Sequence, residues 1–390
     1  MFKIKTFNQI SVKGLERFAR DKYEVGSAIG DPEAILLRSH KLQNEVLPDS
    51  VLAVARAGAG VNNVPVDAYS QKGIVVFNTP GANANAVKEL VLAGLLLGSR
   101  GIKSGIDHVK TLHDVTDGAE LHKTLEAQKK LFAGNELMGK TLGIVGLGAI
   151  GSLVADMALA LGMNVIGYDP ALSIEAAWRL SSNVQRAENL YALLARCDYV
   201  SLHVPAIEAT HHLINDEALA QAKPGLSLVN FARESIVDPK AIVKALDSGK
   251  MKSYVCDFPE PIFYGRDDVI AMPHIGASTA EAEENCAVMA ADQIIDYLEN
   301  GNIKNSVNFP AVSMARCEGQ RIIFSNENVP KVLGHVLSVL ADNNVNVIDM
   351  MNRSRGDLAY NILDVEQMPN DSIVDAIAKI EHVKSVRLIS

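Results

Sequence analysis

Gly146-Leu147-Gly148-Ala149-Ile150-Gly151 follows a short apolar run and opens a helical pattern, and Asp169 closes the next apolar run. That arrangement supports dinucleotide binding. The first glycine permits a tight turn, the second lets backbone approach a pyrophosphate, and the third lets helix pack on strand. The helix amino terminus then presents unpaired N–H groups and the positive end of its dipole to the phosphates. A carboxylate such as Asp169, roughly 20 residues on, accepts both ribose hydroxyls and repels a 2′-phosphate, which favours NAD over NADP.

Four further segments end or follow predicted strands, where ligands bind in open α/β sheets. They are His203-Val204-Pro205, Asn230-Phe231-Ala232-Arg233, Cys256-Asp257-Phe258-Pro259-Glu260-Pro261 and Pro273-His274-Ile275-Gly276. Hydride transfer from an alcohol needs a base for the hydroxyl proton and a cation for the substrate's carboxylate and carbonyl. Histidine suits the first role and a bidentate arginine the second. A carboxylate beside the histidine fixes its tautomer. Arg233, Glu260 and His274 supply these three types. Singly, each has an ordinary structural alternative: a helix-capping histidine, an ion-paired arginine, a solvated turn glutamate. Their shared position after strands, downstream of the fingerprint, is what singles them out.

The elements that must carry these groups are legible in the chain's rhythm. Short apolar runs at Ala34–Leu37, Leu52–Ala55 and Ile74–Phe77 alternate with helical stretches, as βαβ units of a parallel sheet do. A helix is expected from Asn83 to about Arg100, then a polar excursion or hinge from Lys103 to Lys130. The alternation restarts at Lys140, with strands at Thr141–Val145, Val165–Tyr168, Tyr199–His203 and Leu226–Val229 and helices at Ala149–Leu161 and Pro239–Ser248. Another long helix follows Ser278 to about Leu298. From about Gln320 the order becomes βαββαβ, the ferredoxin-like arrangement of a separate module. With 390 residues, two or three domains are expected.

Composition narrows the classes. Lys plus Arg number 37 against 46 Asp plus Glu, a formal charge of −9, which argues against broad nucleic-acid or membrane-surface binding and requires a local basic pocket for any anionic ligand. The four cysteines are scattered without a CxxC pair, so neither a metal site nor a disulfide framework is expected. The charged start Met1-Phe2-Lys3-Ile4-Lys5 lacks a signal-peptide run, and the chain is expected to be cytoplasmic.

Taken together, Arg56-Ala57-Gly58-Ala59-Gly60-Val61-Asn62-Asn63, Asn78-Thr79-Pro80-Gly81, the glycine fingerprint, His203-Val204-Pro205, Asn230 to Arg233, Asp257-Phe258 with Glu260-Pro261, and His274 to Thr279 resemble the D-isomer-specific 2-hydroxyacid dehydrogenases, in the type that joins the catalytic body directly to a carboxyl-terminal ACT domain. The resemblance implies an α/β fold with three parts. A Rossmann dinucleotide-binding domain (98–279) is wrapped by a flavodoxin-like substrate domain (1–97 and 280–308), and an ACT-like domain follows (319–390). It places the acid/base at His274, its partner at Glu260 and the substrate-orienting arginine at Arg233. Cofactor contacts fall on Gly146, Gly148, Ala149, Ile150, Gly151, Asp169, Pro205, Phe231, Ala232, Asp257 and Ala277. Two departures stand out: Glu234 occupies a position commonly glycine, and the loop from Asp257 to Glu260 is shortened.

The resemblance further implies NAD-dependent oxidation of a phosphorylated hydroxy acid, D-3-phosphoglycerate, to 3-phosphooxypyruvate, the first step of L-serine biosynthesis. Arg56, with Ala57 and Gly58, resembles the phosphate side of such sites, and Lys129 and Lys130 are candidate helpers. In the ACT-like block Asn328 and Asn346 match positions that hold L-serine in feedback-inhibited relatives. Asn326, however, stands where those relatives have histidine and Lys331 where the motif has glycine. A homodimer or homotetramer is expected. The alternatives are a dehydrogenase or reductase for another D-2-hydroxy acid and a nucleotide-sensing, corepressor-like binding protein.

Overall fold

The structure, a computed structural model, describes residues 1–367 and 369–389. Its contacts divide the chain into two compact units, Met1–Asn83 with Ala280–Ser390, and Ala84–Thr279.

The first unit begins with β1 (Phe2–Phe7), α1 (Val12–Leu15), β2 (Tyr23–Gly26), β3 (Ala34–Leu37), β4 (Ala53–Arg56), α2 (Val66–Gln71) and β5 (Val75–Phe77). The five strands form a parallel sheet in the order β2-β1-β3-β4-β5, the flavodoxin-like order. β3 and β5 are buried along their whole length, because a parallel sheet is covered on both faces. That is why they read as unbroken apolar runs.

The second unit opens with α3 (Ala84–Ser99). The sequence reads this helix as the tail of the first segment. In the structure it packs on the dinucleotide-binding side, with Gly94 lying against the Phe231 ring, so the unit starts at Ala84. α4 (Ile102–Thr111) and α5 (Gly118–Gln128) bury none of their residues, which accounts for the polar composition between 103 and 130. There follow β6 (Thr141–Val145), α6 (Ala149–Ala160), β7 (Asn164–Tyr168), α7 (Ile174–Ala177), β8 (Val184–Arg186), α8 (Leu190–Leu194), β9 (Tyr199–Leu202), α9 (Asp216–Gln221), β10 (Leu226–Asn230), α10 (Pro239–Asp247), β11 (Met251–Cys256) and β12 (Val269–Ala271). All seven strands are parallel, in the order β12-β11-β10-β9-β6-β7-β8. The order reverses between β6 and β9, and ligands of open α/β sheets bind beyond the strand ends at such a point.

The chain returns to the first unit through α11 (Ala280–Asn300), whose Ala287, Ala290 and Ile294 pack on the five-stranded sheet. It ends in β13 (Gln320–Glu327), α12 (Val332–Asp342), β14 (Val347–Arg355), β15 (Leu358–Val365), α13 (Asp371–Ala378) and β16 (Val383–Ile389). These strands make an antiparallel sheet in the order β14-β15-β13-β16, the expected βαββαβ module. One face of this sheet buries Phe324, Leu363 and Val365 under α12 and α13. The other places Ile323, Tyr360 and Ile362 in a single core with Tyr297 of α11 and Phe309. Among the described residues, no helix is long and apolar enough to cross a membrane, and no cluster of His, Cys, Asp and Glu could hold a metal ion. All four cysteines are free, with only Cys317 exposed.

Candidate active site

In the second unit the glycine fingerprint links β6 to α6. Gly146 has φ 93°, and a side chain there would come within 2.6 Å of the His203 carbonyl oxygen at the end of β9. The turn therefore lies at the point where strand order reverses. A Cβ on Gly151 would run into the Gly146 carbonyl, so the helix can approach the strand this closely only through glycine. Gly148 faces open space, and as the N-cap of α6 it offers no side chain to the helix's first N–H groups. The Asp169 carboxylate accepts from Leu147 N at 2.8 Å and Ala171 N at 2.9 Å, which fixes it at the edge of the same turn. This open backbone cradle, ending in a positioned carboxylate, fits the pyrophosphate and ribose of NAD. Nearby, burial pushes the His203 imidazole down to about 3, and its Nε2 lies 2.8 Å from Ser201 Oγ.

Arg233 is presented by a turn that Asn230 builds. Asn230 is fully buried; its Oδ1 accepts from Ala232 N at 3.1 Å, and its Nδ2 donates to Arg233 O at 2.9 Å and to Tyr254 Oη at 3.3 Å. The Arg233 guanidinium stays half-exposed, with one Nη donating to Ala232 O. The role of Asn230 was not singled out by sequence reasoning, because it depends on Tyr254 in the neighbouring strand.

His274 is exposed and holds a left-handed backbone, φ 57°. Asp257, 1 % exposed, explains how. Its two carboxylate oxygens accept from Ile275 N at 2.8 Å and Gly276 N at 2.6 Å, while its carbonyl accepts from His274 N at 3.0 Å. The carboxylate read as a cofactor contact is thus occupied as the brace of the His274 turn. The ring beside His274 is Phe258, at 4.9 Å between centroids. No hydrogen bond or ion pair joins Glu260 to His274 among the described residues. Burial, together with the charges of Glu234 and Asp238, holds the Glu260 carboxyl above the usual range, with His212 acting the other way. Glu234, the residue after Arg233, therefore bears on Glu260. Pro205 is exposed, and Phe231 and Ala232 line the turn before Arg233. Ala277 follows the braced turn.

In the first unit Arg56 ends β4 opposite Leu37 of β3, and its Nε donates to Arg38 O at 3.1 Å. Two guanidinium groups, Arg38 and Arg56, thus stand on adjacent strand ends of an acidic chain. Arg38 pairs with Glu283 of α11 at 2.6 Å, both partly exposed, so an anion can compete for it at little cost. Sequence reasoning, which took Arg56 from a family resemblance, passed over Arg38, which directly follows β3. Gly58 has φ 150°, and a side chain there would collide with the Arg56 guanidinium. Gly58→Ala is accordingly expected to raise KM for a phosphorylated substrate about 10- to 100-fold, the loss of a charged hydrogen bond, while KM for NAD stays unchanged. Steady-state kinetics in each substrate check this.

Lys129 and Lys130 lie in the second unit, exposed, with Lys129 paired to Glu126 at 2.5 Å. In the ACT-like module Asn328 is exposed and donates to Gly356 O at 3.1 Å, and Asn346 is exposed at the start of the β14 segment. Lys331 takes the left-handed φ of 79° that glycine would hold more cheaply. Asn326 is buried and accepts from Asn361 Nδ2 at 2.8 Å.

Comparison with known proteins matches this geometry to a family. The model of the D-isomer specific 2-hydroxyacid dehydrogenase NAD-binding domain matches residues 105–276, and the ACT domain matches 320–382. The D-3-phosphoglycerate dehydrogenase of Haemophilus influenzae is 34% identical over 386 residues, spanning 95% of this chain and 90% of its own. The chain belongs to the D-isomer specific 2-hydroxyacid dehydrogenase family. The D-3-phosphoglycerate dehydrogenase of Escherichia coli K12 is 34% identical over 363 residues, 89% of this chain and 84% of its own. Among solved structures, the NAD+-bound 3-phosphoglycerate dehydrogenase of Entamoeba histolytica aligns at a TM-score of 0.61 and 26% identity, over 79% of this chain and 98% of that one. The holo D-mandelate dehydrogenase of Rhodotorula graminis aligns at 0.67 and 25%, over 80% and 99%. The two matched parts, an NAD-binding domain and an ACT domain, are those the fingerprint and the βαββαβ pattern led us to expect.

Proposed function

We propose that the protein oxidises the C2 hydroxyl of D-3-phosphoglycerate to 3-phosphooxypyruvate with NAD, the first step of L-serine biosynthesis. The observation that carries the substrate is the Arg38–Arg56 pair, two cations on adjacent strand ends in a chain of net charge −9, matched to a dianionic phosphate. The relatives named D-3-phosphoglycerate dehydrogenase support the same reading.

His274 takes the hydroxyl proton on an imidazole nitrogen as the alcohol becomes a ketone. Arg233 binds the substrate carboxylate and the developing carbonyl oxygen through its planar fork. Asp257 keeps the His274 turn in place, and Glu260, which makes no bond to His274 among the described residues, would have to be brought to its ring to support the imidazolium. Bound NAD supplies the hydride acceptor. Asp169 selects it over the 2′-phosphorylated cofactor. The ACT domain is read as an amino-acid-binding module, with L-serine at Asn328 and Asn346 as feedback inhibitor. A cytoplasmic homodimer or homotetramer completes the proposal.

The test is NADH formation from D-3-phosphoglycerate at alkaline pH, where release of the hydroxyl proton favours oxidation, with and without L-serine. Turnover that serine suppresses is expected. Turnover indifferent to serine removes the effector and keeps the enzyme. Activity confined to an unphosphorylated 2-hydroxy acid overturns the substrate, and NADH binding without turnover on any acid overturns the enzyme.

A further inference from the structure

Two buried titratable groups of the second unit take no part in the chemistry described above. Tyr254 and Cys256 lie two residues apart in β11 and point to the same face of the sheet, where both are fully buried. Cys256 stands directly opposite Asn230 of the adjoining strand β10. Burial pushes the Tyr254 phenol well above its ordinary value and raises the Cys256 thiol. Each therefore keeps its proton and has a donor to place.

These donors form one directed chain. Asn230 Nδ2 donates to Tyr254 Oη at 3.3 Å, the Tyr254 hydroxyl donates to Cys256 Sγ, and Cys256 Sγ donates to Phe258 O at 3.5 Å. The direction is fixed, because an amide N–H only donates and a carbonyl only accepts. At one end the same Asn230 amide donates to Arg233 O at 2.9 Å, in the turn that presents the guanidinium. At the other end the Phe258 ring lies 4.9 Å from the His274 ring. The Tyr254 ring also packs 5.4 Å from that of Phe263, whose N–H donates to Glu260 O at 3.0 Å. We propose that Tyr254 and Cys256 are positioning residues that hold the Arg233 turn and the His274 ring in a fixed relation, acting through Asn230 and Phe258. The inference rests on the roles assigned above to Arg233 and His274, and not on which 2-hydroxy acid they act upon. The arginine and the imidazole must meet neighbouring groups of one small substrate, so a loss of their relative placement costs rate.

Steady-state kinetics on D-3-phosphoglycerate test this, with the folded fraction of each variant counted by fluorescence titration with NADH. Tyr254→Phe keeps the ring against Phe263 and removes only the hydroxyl. Cys256→Ala removes the thiol, and Cys256→Ser keeps a donor and an acceptor in its place. Tyr254→Phe and Cys256→Ala should each lower kcat about tenfold, the effect of one lost hydrogen bond. KM for NAD and the affinity for NADH should stay unchanged, since the glycine turn and Asp169 are held by other residues. Cys256→Ser should recover most of the loss. A chain that works as one unit also predicts that the double variant, Tyr254→Phe with Cys256→Ala, loses no more than either single one. Wild-type kcat in both single variants, losses that multiply in the double variant, no recovery in Cys256→Ser, or an equal loss of NADH affinity overturns the proposal. If the wild type turns over only another 2-hydroxy acid, the substrate reading alone fails and the same series is measured on that acid. If it turns over none, the roles of Arg233 and His274 fail, and the proposal falls with them.

Discussion

His274→Asn is expected to lower kcat/KM for D-3-phosphoglycerate by about 10²- to 10⁴-fold, the usual contribution of a positioned general base. Asparagine is the informative replacement because position 274 has φ 57°, a region that asparagine enters readily and alanine does not. The turn itself is held from beneath, by Asp257 through the N–H groups of Ile275 and Gly276 and by the His274 N–H on the Asp257 carbonyl. None of these bonds involves the imidazole, so the variant should keep its fold and its NADH affinity while losing the group that takes the proton. Fluorescence titration with NADH separates the two effects. Wild-type turnover in His274→Asn would remove His274 from the mechanism.

How much of this was legible in the sequence follows from where each signal lies. β9 and β10 are fully buried, and they read as apolar runs because a covered parallel sheet leaves no polar face. β8 carries Gln185 and Arg186 exposed on the sheet's edge, and β2 carries an exposed Glu24; both lack an apolar run and escaped notice. The periodicity of α3 announced a helix, but no local pattern says which sheet a helix will cover. The same division runs through the site. The glycine fingerprint and Asp169 follow a local spacing rule, so their geometry could be anticipated. Asn230 and Asp257 act through partners 24 and 18 residues away, Tyr254 and Ile275, and a one-dimensional reading sees only an amide and a carboxylate. Glu260 shows the reverse difficulty. Its motif matched, but the shortened loop brings Phe258, rather than Glu260, to the His274 ring.

The largest effect on stability should come from Arg321→Ala. Arg321 is fully buried, and all five of its N–H donors are used. Nε and Nη2 grip Asp364 of β15 at 2.6 and 2.8 Å, Nη1 donates to Asn300 O at 2.8 Å and Met314 O at 3.1 Å, and Nη2 donates to Ala315 O at 2.8 Å. One side chain thus joins the ACT sheet to the end of α11 and to the segment that follows it. Removing it strands a buried carboxylate and three carbonyls, at a cost of about 3–5 kcal/mol. The corresponding fall in Tm is roughly 6–20 °C for a unit of this size. Arg321→Lys should restore little, since a point charge cannot reproduce the fork. Arg321→Met with Asp364→Leu should restore only part of it, because an apolar pair leaves no orphaned charge but does not satisfy the three carbonyls.

Acid provides an independent check on the same pair. Burial draws the Asp364 carboxyl upward, but hydrogen bonds from Arg321 and Cys317 and the charges of Arg321 and Arg316 outweigh it, so the group lies below the usual carboxylate range. A carboxyl depressed on folding contributes stability that is complete above its unfolded value of about 4 and is lost as pH falls through its folded value. Below about pH 4 the wild type should therefore lose stability more steeply than the double variant that combines Arg321→Met with Asp364→Leu. Thermal melts of both proteins between about pH 7 and about pH 3 measure the difference. Parallel acid slopes would mean that Asp364 does not titrate with folding, and that the buried pair holds the module by shape alone.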